Sequence, residues 1–231
     1  MISIKINDFE FLVRPNISIL DACKYAGINV PRFCYHETLS VSGNCRMCLV
    51  EIENLEKPLA SCVAEVEEGM SIWVDTPFVK KARENVIETM LLNHPLDCPI
   101  CDQAGECHLQ DFSFEHGVSS TRTVEDRNTF EPVDLGDNIK LNMNRCILCY
   151  RCVYTADQIT DGRVHGVMHR GDHAEISTYI EKAIDNDFSG NVIDVCPVGA
   201  LTDKTYRFKS RVWFSKPVDA HCECEKCSGK A

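Results

Sequence analysis

The chain has 231 residues, 44% of them hydrophobic, and a formal net charge of −11, enough to bury one good core or two to three small ones. The acidic balance argues against nucleic acid as a partner, since phosphate binding relies on basic patches, and no apolar stretch approaches a membrane helix, so no direct membrane insertion is expected. Fifteen cysteines, clustered behind an N-terminus (MISIKINDFEFLVR) without the apolar core and cleavage site of a signal peptide, point to a cytoplasmic protein that ligates metal rather than one held by disulfides.

Residues 2–6 and 9–13 alternate in polarity on either side of Asn7-Asp8, which predicts a hairpin. Ser18 then caps a helix, with Asp21 making a partial capping box and Gly27 as its stop. Ile19, Leu20, Cys23 and Ala26 share one face of it, so Cys23 is expected in the core, where a free thiol packs as a small hydrophobe. A loop (CYHETLSVSGNCRMC) and two strands (CLVEIEN, KPLASCVAEV) follow, giving the element order of a β-grasp domain. Cys34, Cys45, Cys48 and Cys62 are separated by ten, two and thirteen residues. Three ligands on a loop with a fourth on a later strand resemble the plant-type [2Fe-2S] arrangement, with a first gap longer than the usual four residues. Gly43 and Asn44 suit a backbone that wraps closely round a cluster. A structural zinc site is the competing reading, although zinc sites favour two short CxxC-like pairs.

Helical periodicity over Thr76–Asn93 places Val79, Ala82, Val86, Met90 and Leu91 on one face, and Asn93 and Pro95 end the helix. His94, Cys98, Cys101 and Cys107 follow at once. One imidazole and three thiolates in so short a reach suit zinc, or iron with sulfide. His108 and His116 are expected to point elsewhere. Residues 119–137 read as a long loop that wraps rather than packs. Cys146, Cys149 and Cys152 at CxxCxxC spacing, with a distant Cys196-Pro197, come close to the bacterial [4Fe-4S] signature. Cys196 has no second CxxCxxC beside it, so it most simply completes the Cys146 group. Between them, residues 162–180 alternate like a hairpin turning at Gly171, and His165, His169 and His173 read as polar surface. Near the C-terminus His221, Cys222, Cys224 and Cys227 offer a fourth metal site: a zinc knot, a further cluster shared with a partner, or an unligated tail.

CYHETLSVSGNCRMC, HPLDCPICDQAGECHLQD and NRCILCYRC with CPVGALTDK stand in an order that resembles the N-terminal electron-transfer region of the large iron–sulfur subunit of bacterial NADH:quinone oxidoreductase (complex I). It is also similar to the diaphorase iron–sulfur subunit of NAD-linked hydrogenases and to parts of NAD-dependent formate dehydrogenases. The resemblance covers about residues 1 to 210. It implies one [2Fe-2S] cluster on Cys34, Cys45, Cys48 and Cys62, and two [4Fe-4S] clusters, on His94, Cys98, Cys101 and Cys107 and on Cys146, Cys149, Cys152 and Cys196. The expected fold is α+β: a β-grasp [2Fe-2S] ferredoxin-like domain (1–78), a small helical domain with one His and three Cys ligands (79–120), a [4Fe-4S] ferredoxin-like domain (121–215) and a cysteine-containing tail (216–231).

The family continues into a long molybdopterin-oxidoreductase-like domain whereas this sequence ends at Ala231, which leads us to expect a compact subunit of a smaller NADH-linked assembly. No nucleotide-binding glycine loop or catalytic triad is present in the sequence. The expectation is a relay that passes single electrons between a flavoprotein NADH-oxidising subunit and a second redox subunit (quinone-linked, hydrogenase, formate dehydrogenase or bifurcating), with the His94 site in the middle of three. A free-standing polyferredoxin and a zinc-bearing scaffold are the alternatives.

Overall fold

The computed structural model describes residues 1–131, 133–159, 164–178, 183–186, 188–216 and 218–219. Strands β1 (Ile2–Ile6) and β2 (Phe9–Val13) form the predicted hairpin, with Ile2 opposite Val13 and Ile6 opposite Phe9. Asn7 and Asp8 turn it at φ of 48° and 68°, the left-handed pair that a tight mirror-image turn requires and that these two residue types tolerate. Helix α1 (Ile19–Tyr25) starts at Ser18, whose Oγ accepts the Asp21 N–H at 3.0 Å and donates to Asp21 Oδ2 at 2.7 Å. Gly27 leaves the helix at φ 73°, and Cys23 is fully buried beneath it, as expected.

Strand β3 (Leu49–Ile52) lies where it was predicted. The strand expected over 57–66 shrinks to β4 (Leu59–Ala60), and Cys62 sits in the turn after it rather than on a strand. A strand not foreseen, β5 (Ser71–Trp73), runs parallel to β1 and antiparallel to β3, so the sheet order is β2-β1-β5-β3-β4. Three residues are too short to display alternation; β5 is held by its neighbours on both sides rather than by a pattern of its own.

Helix α2 (Pro77–Leu91) is capped by Thr76, whose Oγ1 accepts the Val79 N–H at 3.2 Å. Its buried residues are Val79, Arg83 and Ile87, while Ala82, Val86 and Met90 are half-buried. The inward stripe is therefore rotated from the predicted one because α2 packs between β3 and α3 (His108–His116), and Arg83 donates to the Leu49 carbonyl of β3 at 2.9 Å. The polar stretch 119–137 packs more than was expected: Leu135 is fully buried and β6 (Val133–Asp134) joins β7 (Ile139–Leu141) and β10 (Leu201–Asp203) in a second sheet, order β10-β7-β6. Helix α4 (Arg151–Gln158), the hairpin β8 (His165–Met168) and β9 (Glu175–Thr178), and the short α5 (Asn191–Asp194) complete the described chain. His165 corrects the sequence reading: it is buried, whereas His169 and His173 lie beyond the end of β8 and are exposed.

Two hydrophobic cores result. One lies between the first sheet and α1 and takes in Cys48 and Cys62. The other joins Phe33, Cys34, Cys45 and Met47 to Ile87, Cys107, Leu109, Leu141, Cys149, Cys152 and Leu201. Phe33, Cys34, Cys45 and Met47 of the cysteine loop thus belong to the core of the later residues, while Cys48 belongs to the first.

Candidate metal centres

The first group occupies the loop before β3 and the turn after β4, and Cys34, Cys45, Cys48 and Cys62 are all buried. The Cys34 N–H points at Cys45 Sγ at 3.4 Å. Cys34 lies within hydrogen-bonding reach of Cys45 and Cys62, and Cys62 of Cys48. These contacts split the thiols. Hydrogen bonds from Cys45 and then Cys62 push Cys34 far down, and a bond from Cys62 lowers Cys48 to about 6. Cys45 and Cys62 are driven up by the same bonds, so the four cannot ionise together without a compensating positive centre. Gly43 (φ 64°) has no room for a side chain: a Cβ there would meet Val63 Cγ2 at 2.6 Å.

The second group follows α2. His94 is largely buried, which lowers its ring to about 4. Its Nδ1 is buried without a hydrogen-bond partner. An unpaired ring nitrogen on a neutral imidazole is the donor a metal takes. A 3-10 turn (Cys98–Ile100) presents Cys98 to solvent, and Cys101 and Cys107 are buried, which pushes both thiols up. Cys107 precedes α3, and the N–H groups of Gln110 and Leu109 aim at its sulfur.

The third group winds into α4. Leu148 and Tyr150 adopt left-handed backbone at φ 52° and 64°, and the Leu148 N–H reaches Cys146 Sγ at 3.3 Å. Cys196 arrives after α5 with the N–H groups of Val198, Leu201 and Ala200 turned toward it. All four thiols are pushed up by burial, Cys149 to about 12. They line one enclosed cavity with Leu141, Ile147, Tyr150, Ile176, Val198, Ala200 and Leu201.

Among the described residues no three His, Cys, Asp or Glu side chains converge as closely as a single ion needs. Sulfurs lining one cavity, backbone N–H groups aimed at sulfur, and an orphaned imidazole nitrogen are the kinds of donor that iron–sulfur sites use. The remaining predicted group, His221, Cys222, Cys224 and Cys227, lies outside the described residues.

Polar links that the sequence reading missed tie the three groups together. Asn44, beside Cys45, donates to the Leu148 carbonyl at 2.6 Å. Arg151, beside Cys152, donates to Tyr35 O at 2.7 Å and to Val195 O at 3.4 Å, the residues flanking Cys34 and Cys196. Arg145, beside Cys146, is ion-paired to Asp97, beside Cys98, with Nε at 3.0 Å from Oδ2. Gly199 lies so close to Cys101 that a Cβ there would meet its Sγ at 2.2 Å, and the His108 N–H donates to Pro197 O at 3.1 Å. The first and second groups meet through Phe33 and Phe112, edge to face at 5.1 Å between centroids. The group with polar links to both neighbours is the Cys146 group. The one sequence signal for this scaffold is an arginine directly before Cys146 and another directly before Cys152.

Three family models match the chain: a 2Fe-2S iron-sulfur cluster binding domain over residues 1–77, the NADH-ubiquinone oxidoreductase-G iron-sulfur binding region over 83–122, and the ferredoxin-like domain of NADH-quinone oxidoreductase subunit 3 over 136–202. The NADH-ubiquinone oxidoreductase 75 kDa subunit of Reclinomonas americana is 50% identical over 213 residues, which are 92% of this chain and 31% of that protein. An NADH-quinone oxidoreductase subunit of Rickettsia felis is likewise 50% identical over 92% of this chain and 32% of its own length. The mitochondrial NADH dehydrogenase [ubiquinone] iron-sulfur protein 1 of Solanum tuberosum is 47% identical over 95% of this chain and 30% of its own length. This chain therefore spans about a third of the length of these curated relatives. In fold it is similar to a chain of an NAD+-reducing [NiFe]-hydrogenase solved in the H2-reduced state, with a TM-score of 0.81 and 23% identity over 91% of each chain. Three iron–sulfur family models match in one order, and the chain is about half identical, over 92% of its length, to about a third of the NADH-ubiquinone oxidoreductase 75 kDa subunit.

Proposed function

We propose that the chain is the electron-relay segment of an NADH-linked oxidoreductase, lying between a flavoprotein that exchanges electrons with NAD(H) and a second redox subunit. The observation that carries this reading is the shared core: cysteines of all three groups pack in one hydrophobic cluster, and hydrogen bonds and an ion pair join their loops. A carrier of one centre has no use for such a scaffold. Iron–sulfur clusters, when bound, would supply one-electron redox couples at these sites.

In this reading Cys34, Cys45, Cys48 and Cys62 hold a [2Fe-2S] cluster at the edge of a β-grasp domain spanning 1–78, whose sheet order and crossing helix support the assignment. His94, Cys98, Cys101 and Cys107 hold a [4Fe-4S] cluster in 79–120, and Cys146, Cys149, Cys152 and Cys196 hold another in 121–215. The protein's own contribution is spacing, dryness and hydrogen bonds to sulfur. Binding iron would displace the protons of these buried thiols, so loading is expected to release protons and to weaken as pH falls. No helix of the described residues is long and apolar enough to cross a membrane, so a quinone would be reached through a partner.

Anaerobic purification with quantitation of iron, acid-labile sulfide and flavin tests the proposal. Ten irons and ten sulfides per chain, the sum of one [2Fe-2S] and two [4Fe-4S] cores, with flavin travelling in the same complex, is the expected result. Elution alone near 26.1 kDa without flavin would replace it by the shuttle reading, and zinc without sulfide by the scaffold reading.

A further inference from the structure

Arg151 is only 7% exposed, yet its guanidinium is in no ion pair among the described residues. It spends Nη2 on Tyr35 O and Nη1 on Val195 O, one residue from Cys34 and one from Cys196, and itself precedes Cys152. Its Nε is buried with no partner. The ionisable groups around it are thiols of two groups, Cys149 and Cys196 of the third and Cys34 and Cys45 of the first, together with the rings of His36 and His108. A buried cation that lacks a carboxylate is costly to keep, and the sulfurs on both sides are what can compensate it.

We propose that Arg151 is a shared positioning and tuning residue: its forked donors lock the first and third sites at a fixed separation, and its charge holds both at higher potential than their ligands alone would set. The argument rests on the electron-relay reading above. An electron arriving at either site adds negative charge beside the same guanidinium, so its charge stabilises both reduced states across a medium that screens little.

The test is a redox titration of the purified complex followed by electron paramagnetic resonance, reading each site separately. Arg151→Gln is expected to shift both reduction equilibria about tenfold toward the oxidised form, which is about 59 mV per one-electron couple. Arg151→Lys, which keeps the charge but can reach only one of the two carbonyls, is expected to restore both midpoints while lowering the thermal midpoint. Lys5→Gln, an exposed charge on β1, moves neither. Midpoints unchanged in Arg151→Gln, or a shift confined to the third site, would overturn the proposal. If the glutamine variant does not assemble, the lysine variant decides alone: a tenfold loss at either site with the charge retained rejects tuning by charge. A wild-type protein lacking the signal of either site would instead refute the relay reading, a distinct failure.

Discussion

The fifteen cysteines are not equivalent, and Cys23 provides the internal control. It is fully buried beneath α1, and burial pushes its thiol up to about 12, so it is neither ionised nor accessible at neutral pH. Cys23→Ala should leave iron and sulfide content unchanged, whereas Cys34→Ala should lose the two irons of a [2Fe-2S] core; equal losses would contradict the ligand assignment. His94 invites a second measurement. A neutral imidazole in place of a thiolate leaves a cluster one charge less negative, which raises its potential, so His94→Cys should lower the midpoint of that site in an electron paramagnetic resonance titration. An unchanged or higher value would remove His94 from the ligand set. The cysteines that the fold gathers into three groups stood out in the sequence through their spacing, which is what a ligand set imposes on a chain. Arg145 and Arg151 did not, because an arginine in sequence reads as surface, and only the fold reveals that each is buried beside a cysteine. His165 was misread for a related reason: a histidine in a hairpin reads as surface, and only the packing of β8 against α4 buries it.

At the scale of elements, local signals sufficed wherever the backbone solves its own hydrogen bonding. The Asn7-Asp8 turn and the Ser18 cap were both visible in the sequence. Tertiary contacts decided the rest. Strand β5 is too short to announce itself, and α2 is rotated so that Ile87 is buried in the core shared with Cys107 while Val86 only packs, half-exposed, against its edge. Ile87→Ala should therefore cost about 2–5 kcal/mol, and Val86→Ala distinctly less, in urea unfolding of the loaded protein. Similar costs would restore the stripe that periodicity predicts.

At the scale of the molecule, the junctions between sites are the places where a small change does most. A methyl group at Gly199 would collide with Cys101 Sγ, so Gly199→Ala should reduce the iron bound by the second site although residue 199 belongs to the loop of the third. Arg145→Ala leaves Asp97 without its cation. The loss of a buried pair costs about 3–5 kcal/mol, and the lower end applies because Asp97 keeps 23% of its side chain exposed. Full iron content in both variants would mean that the sites are structurally independent.

The division of the molecule into two cores has a consequence for the order in which it is built. The sheet and α1 close around residues that all lie within the first 74, and can do so as soon as that much chain exists. Phe33, Cys34 and Cys45 instead find their packing with Cys149, Cys152 and Leu201, more than a hundred residues later. The first cysteine group is thus divided between the cores: Cys48 and Cys62 have their packing once the first 74 residues are made, whereas Cys34 and Cys45 gain theirs only with chain beyond residue 200.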